Sequence, residues 1–141
     1  MKVLFYSYLF LFLLGSGCTD RDILDHKEGV SLPPVTNLTL QQIDATHIRL
    51  SWSNPTDVSD EIQLPMSVYI DVQETVSPTR SISVFNTTLA NAPSEYLYEL
   101  PDPAKTYHLI VKLNGMTKNQ DVNYSSNIFS LGQTVIYNPQ Q

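Results

Sequence analysis

Residues 33–55 read PPVTNLTLQQIDATHIRLSWSNP, and their pattern decides the fold. Leu38 and Leu40 alternate with Asn37 and Thr39, and a second run sets Ile48, Leu50 and Trp52 against His47, Arg49 and Ser51. A period of two means an extended strand with one apolar face, because successive side chains leave opposite sides of the backbone. Two such strands in a row, each able to bury a single face, call for a second layer to cover them.

Working outward, the same pattern recurs. Val68, Ile70 and Val72 alternate with Tyr69, Asp71 and Gln73; Ile82 and Val84 form a shorter run; Tyr96, Tyr98 and Leu100 alternate with Leu97 and Glu99. Tyr107, Leu109, Val111 and Leu113 stand against His108, Ile110, Lys112 and Asn114 in the cleanest run. The last stretch, Asn127 to Tyr137, is apolar on both parities and does not declare its facing. Most of the nine prolines lie between these runs, where the missing amide does no harm. One-sided alternation excludes a parallel sheet covered by helices, and no window carries a helical stripe. The expectation is an all-β domain: a single antiparallel β-sandwich of seven strands over residues 34–141.

The segment just quoted resembles the first two strands of a fibronectin type III domain, with Pro34 leading in and Trp52 as the core tryptophan. YELPDPAKTYHLIVKLNG, residues 98–115, resembles the end of that family's fifth strand and its sixth. The resemblance assigns Leu100 and Tyr107 to the corner in which a tyrosine hydroxyl bonds back to the chain, at a spacing one residue longer than usual. It implies a fibronectin type III-like, immunoglobulin-like fold over residues 34–137.

The N-terminus is an address. Residues 1–18, MKVLFYSYLFLFLLGSGC, begin with Lys2, continue through Val3 to Leu14 without a charge, and end in the small residues Gly15, Ser16 and Gly17 before Cys18. This is the three-part pattern of a secretory signal. Twelve residues of helix span about 18 Å, short of a bilayer core of about 30 Å. Cys18 is the chain's one cysteine and has no disulfide partner within it. The segment resembles a bacterial lipoprotein signal in the looser form found in Bacteroides-like bacteria, with Gly15 where many such signals carry Leu, Val or Ile. That resemblance implies cleavage after Gly17, lipidation of Cys18 and anchoring to the bacterial outer membrane; the alternative is ordinary cleavage with a free thiol. The whole chain also resembles small lipoproteins of Bacteroides-like bacteria with no assigned activity. The expected organisation is a signal peptide over 1–17, the lipidated Cys18 and a flexible tether over 18–33, and the sandwich over 34–141. Asp20, Asp22, Asp25 and Glu28 in the tether resemble surface-export tags, or form a solvated linker.

Charge narrows the partners. Of the 8 basic residues Lys2 alone precedes Cys18, leaving 7 against 14 acidic residues and a net charge of −7. Phosphate neutralisation needs clustered Lys and Arg, so nucleic acid is not an expected partner. Charged residues are 16% of the chain and hydrophobic ones 42%, a composition for a folded core.

Catalytic signatures are missing. His26 falls in the tether, while His47 and His108 face outward from different sheets and cannot share a metal. There is no G-x-S-x-G elbow and no glycine-rich phosphate loop, and no cofactor is implied. The expectation is a non-catalytic protein. Two loops attract attention instead. NPTDVSDEIQLP, residues 54–65, carries Asp57, Asp60 and Glu61; NGMTKNQDVNY, residues 114–124, carries Asn119, Asp121, Asn123 and Tyr124. Both leave strands that run the same way in facing sheets, so they are expected to meet at one end. Their carboxylates, amides and one aromatic ring suit a polar neutral sugar or a hard cation; the plain alternative is a pair of solvated loops. A second candidate surface is the outer face bearing Tyr69, Asp71, His108, Ile110 and Lys112.

The expected function is a cell-envelope lipoprotein acting as a binding or adaptor module, membrane-held through its lipid, for a glycan or an envelope protein. The alternative is a structural subunit that adds a strand to a surface assembly. Cys18→Ser should release the protein from membranes or leave its precursor uncleaved; normal processing and unchanged membrane fractionation of that variant would sink the lipid anchor.

Overall fold

The computed structural model describes residues 29–119 and 125–139; the signal segment, Cys18 and most of the tether lie outside them. Eight strands follow one another: β1 (Thr36–Gln42), β2 (His47–Ser53), β3 (Ile62–Ser77), β4 (Arg80–Leu89), β5 (Glu95–Glu99), β6 (Tyr107–Thr117), β7 (Asn127–Phe129) and β8 (Gln133–Tyr137). They form two antiparallel sheets. One has the order β1-β2-β5; the other runs β4-β3-β6, with β7 and β8 both paired along β6.

The inward rows are those the alternation marks. Ile48, Leu50 and Trp52 from the first sheet share one core with Val68, Ile70, Val72 and with Tyr107 to Leu113 on the inward parity of the second. Trp52 is 5% exposed, and its indole nitrogen has no hydrogen-bond partner among the described residues. The ring therefore contributes through packing. Phe85 closes one open side of the sandwich, its ring centroid 5.1 Å from that of Tyr98 and 6.4 Å from that of Tyr96.

Three features depart from the pattern in the sequence. Seven expected strands become eight because the last stretch breaks at Ser130. This buried serine donates its N–H to the Leu113 carbonyl and accepts the Leu113 N–H on Oγ, so the ladder bonds of β6 survive the break. In β4 the apolar Ile82 and Val84 are exposed, while Phe85 and Leu89 pack on the core. A register shift opposite Val72 and Gln73 sets the facing of that strand. Leu32, two residues before Pro34, is 4% exposed and packs with the core.

The corner forms despite its longer spacing. Leu100 is buried, its N–H donates to the Thr46 carbonyl at 2.8 Å, and the Tyr107 hydroxyl donates to the Asp102 carbonyl at 3.2 Å. The Tyr137 hydroxyl adds a bond to the Pro103 carbonyl at 3.1 Å, so two tyrosines hold the proline-containing link. Burial pushes the Tyr107 pKa up, and that of Tyr98 up to about 12.

Trp52→Ala should cost about 3–5 kcal/mol, as large aromatic truncations in cores do. Chemical denaturation reads this directly, and an unchanged midpoint would mean that the indole holds no part of the core.

Candidate functional site

The end of the sandwich opposite the corner is where β2 finishes, β3 begins and β6 finishes. The expected loop over 54–65 is shorter than its sequence suggests, because β3 starts at Ile62. Asp57, Asp60 and Glu61 are exposed. Glu61 lies in a tight turn: its N–H reaches Ser59 Oγ at 3.3 Å, and the next N–H, of Ile62, donates to the Ser59 carbonyl at 2.9 Å. The Glu61 carbonyl accepts the Lys118 N–H at 2.8 Å, immediately beyond the Ile62↔Thr117 pair. The two stretches thus run side by side as a continuation of the β3–β6 ladder. Asn119 is exposed and its carbonyl accepts the Thr117 hydroxyl. Asp121, Asn123 and Tyr124 lie outside the described residues. Among the described residues no group of three or more His, Cys, Asp or Glu is placed to hold a metal ion. Asn54 serves the fold: its amide donates to the Ala92 carbonyl at 2.6 Å and ties this loop to the β4–β5 connection.

A feature that the strand pattern did not announce lies beside these loops. The β3–β6 register runs through Gln63↔Met116, breaks, and resumes at Ser67↔Asn114. Leu64, Pro65 and Met66 therefore stand opposite Gly115 alone. The strand bows out, as extra residues in one member of a pair require. Met66 turns into the core and Leu64 into solvent. Gly115 faces inward beneath the bow, where a Cβ would come within 3.0 Å of Ile62 Cγ2. The result is a hollow of about 200 Å³ on the outer side of the sheet, with Gln63, Ser67, Asn114 and Asn127 around Pro65 and Met116. The dipeptide Leu64-Pro65 between two strand-like runs was the available signal.

The second candidate face is more covered than its strand parity implies. Tyr69 pairs with Lys112, Asp71 with Ile110 and Gln73 with His108, so Ile110 is diagonal to Tyr69. Ile110 is partly covered by the crossing backbone at Gly132, where a Cβ would approach its Cγ2 within 2.9 Å. Tyr69 instead meets Phe129 edge-on at 6.2 Å, and Phe129 is 53% exposed. Asp71 is occupied by Gln73 Nε2 and Ser83 Oγ.

The family model for the Domain of unknown function (DUF4945) matches residues 18–137. The chain belongs to that family. No curated protein matches the sequence. Among solved structures, this DUF4945 chain is similar to the third fibronectin III domain of the human KIAA0343 protein. The TM-score is 0.52 at 15% identity, over 79% of this chain and 86% of that one. A myokine structure gives 0.50 at 14% identity, over 77% and 97% respectively. At such identities the likeness shows the fold alone: this DUF4945 domain is a fibronectin type III-like β-sandwich.

At the corner end, the β1–β2 turn gathers several donors on one carboxylate. The exposed Asp44 carboxylate accepts the Thr46 N–H at 2.8 Å, the His47 ring Nδ1–H at 2.9 Å and the His47 N–H at 2.7 Å. The Thr46 bond first, and then the two from His47, lower its pKa from 3.8 to about 2. A carboxyl lowered on folding stabilises above its ordinary pKa and loses that contribution as pH falls through the folded value. Carboxyl-detected NMR should place the Asp44 midpoint near pH 2, and the wild type should lose more stability than Asp44→Asn as pH drops from about 3.8 to 2. Equal losses would remove Asp44 as the hairpin's acid-sensitive group.

Proposed function

We propose that this DUF4945 protein is an exported envelope lipoprotein. In this reading it is held on the bacterial outer membrane by the lipidated Cys18, and its sandwich is a non-catalytic binding or adaptor module for a glycan or a neighbouring surface protein. The observation that carries the reading is the hollow at the β3–β6 break. It lies at one end of the sandwich, and ligand sites are concave with a few convergent polar groups. The fibronectin type III-like fold, commonly a binding or adaptor module, supports it. So do the signal-like residues 1–17 and a family match that starts at Cys18. The strand-addition alternative draws no support from the last segment, because β7 and β8 both pair with β6.

Photo-crosslinking on intact cells tests this. A photoreactive side chain at Met116 should give a discrete adduct, and one at Ala104 in the opposite corner should not. Crosslinks scattered equally from both ends, or none from Met116, would remove the module reading.

A further inference from the structure

A strand at the margin of a sheet carries main-chain N–H and C=O groups that its single neighbour cannot satisfy. Three margins of the sandwich are blunted. β1 is kinked by a register shift at Asn37, whose φ is 53°. β5 is short and begins and ends on Glu95 and Glu99. The β7–β8 margin is broken at Ser130. β4 is different. Among the described residues its backbone pairs with β3 alone. It runs for 10 residues without proline or glycine, and no charge follows Arg80 until Glu95. The unpaired Val84 lies to one side, so that Phe85 to Leu89 keep unbroken register with Val72 to Val68.

We propose that β4 is the seat of a two-fold dimer, in which the β4 strands of two copies pair antiparallel about Thr87 and join two sheets into one. This goes beyond the binding-module reading and does not rest on the hollow. Only an extended backbone can satisfy a strand margin, and the stretch from Phe85 to Leu89 is its own complement. Its side chains divide by face. Phe85 and Leu89 pack against the core, and Thr87 stands opposite the buried Ile70. Asn86 and Thr88 are exposed. Pairing about Thr87 sets Phe85 against Leu89 of the second copy, Asn86 against its Thr88, and threonine against threonine on the axis. Apolar meets apolar and polar meets polar, each on its own face, and such cross-strand pairs are favourable. A slip of one residue would set core-side residues against outward ones, which fixes the register. No like charges meet, because the two Arg80 residues stand at far ends of the paired strands. The same operation on β5, about Leu97, would oppose Glu95 to Glu99 twice over. Both copies contribute the same patch, so the pairing closes on itself and leaves neither β4 free.

The test is sedimentation equilibrium of the full chain in density-matched detergent, with cysteine cross-linking in parallel. The wild type should sediment at twice the mass of one chain. Asn86→Lys with Thr88→Lys sets ammonium groups opposite one another on both sides of the axis. It should weaken association about tenfold or more, with the strand content unchanged by circular dichroism. Mild oxidation of Thr87→Cys should give a disulfide-linked dimer, because directly opposed residues have Cα atoms about 4.5–5.5 Å apart, within a disulfide's range. Ser81→Cys should give none beyond the wild-type background from Cys18, because its two copies lie roughly 35–40 Å apart. The proposal is overturned by a monomer at every concentration, by equal cross-linking from the two positions, or by association that survives the paired lysine substitutions. Larger open-ended assemblies would also overturn it. So would a Thr87→Cys adduct to a different protein on intact cells in place of the dimer, which would give the margin to another partner's strand.

Discussion

Mutual burial of two sheet faces is the interaction on which everything else in this protein depends. β2 can hide Ile48, Leu50 and Trp52 only if another layer covers them, and β3 and β6 are in the same position with Ile70, Val72, Leu109 and Val111. Each such side chain contributes about 1.5–3 kcal/mol when fully buried. No single strand could hold its shape in water without this pairing of faces. The corner tyrosine and the Asp44 turn then fix how the chain passes between layers and strands, at positions where the backbone would otherwise lack partners.

The core also explains where the chain is free to be irregular. Inward residues along β6 are fully covered from Tyr107 to Leu113, and there the ladder with β3 runs in continuous register. Past Asn114 β3 bows over Leu64-Pro65-Met66, with Ile62, Met66 and Gly115 still buried beneath the bow. The break at Ser130 follows the same rule: the serine hydroxyl takes over a ladder bond, and the exposed Phe129 and Leu131 fall on either side of it. Irregularity at the margin, held by a regular middle, gives a hollow with polar rims.

The sheet faces were legible in the sequence because alternation is a local property. Trp52, Leu100 and Tyr107 could be placed from their own neighbours, and each is buried as its parity demands. Val84 was not legible in this way, because the register shift in β4 depends on its fit to β3. Nor was the facing of Asn127 to Tyr137, which carries apolar residues on both parities. The expected acidic loop was read from composition. The structure places Asp57, Asp60 and Glu61 on the surface, runs Glu61 beside Lys118, and sets the hollow a few residues further on, among amides.

By itself the sequence determined the fold class and the inward rows, since each rests on spacing within a few residues, while the corner was read from the resemblance to the fibronectin type III family. Only the tertiary structure decided where the ladder breaks and what gathers there. Gln63, Ser67, Asn114 and Asn127 are far apart along the chain and ordinary in their local settings. They meet because three residues of β3 stand opposite one of β6, and that count is a property of how two strands are brought together by the core beneath them.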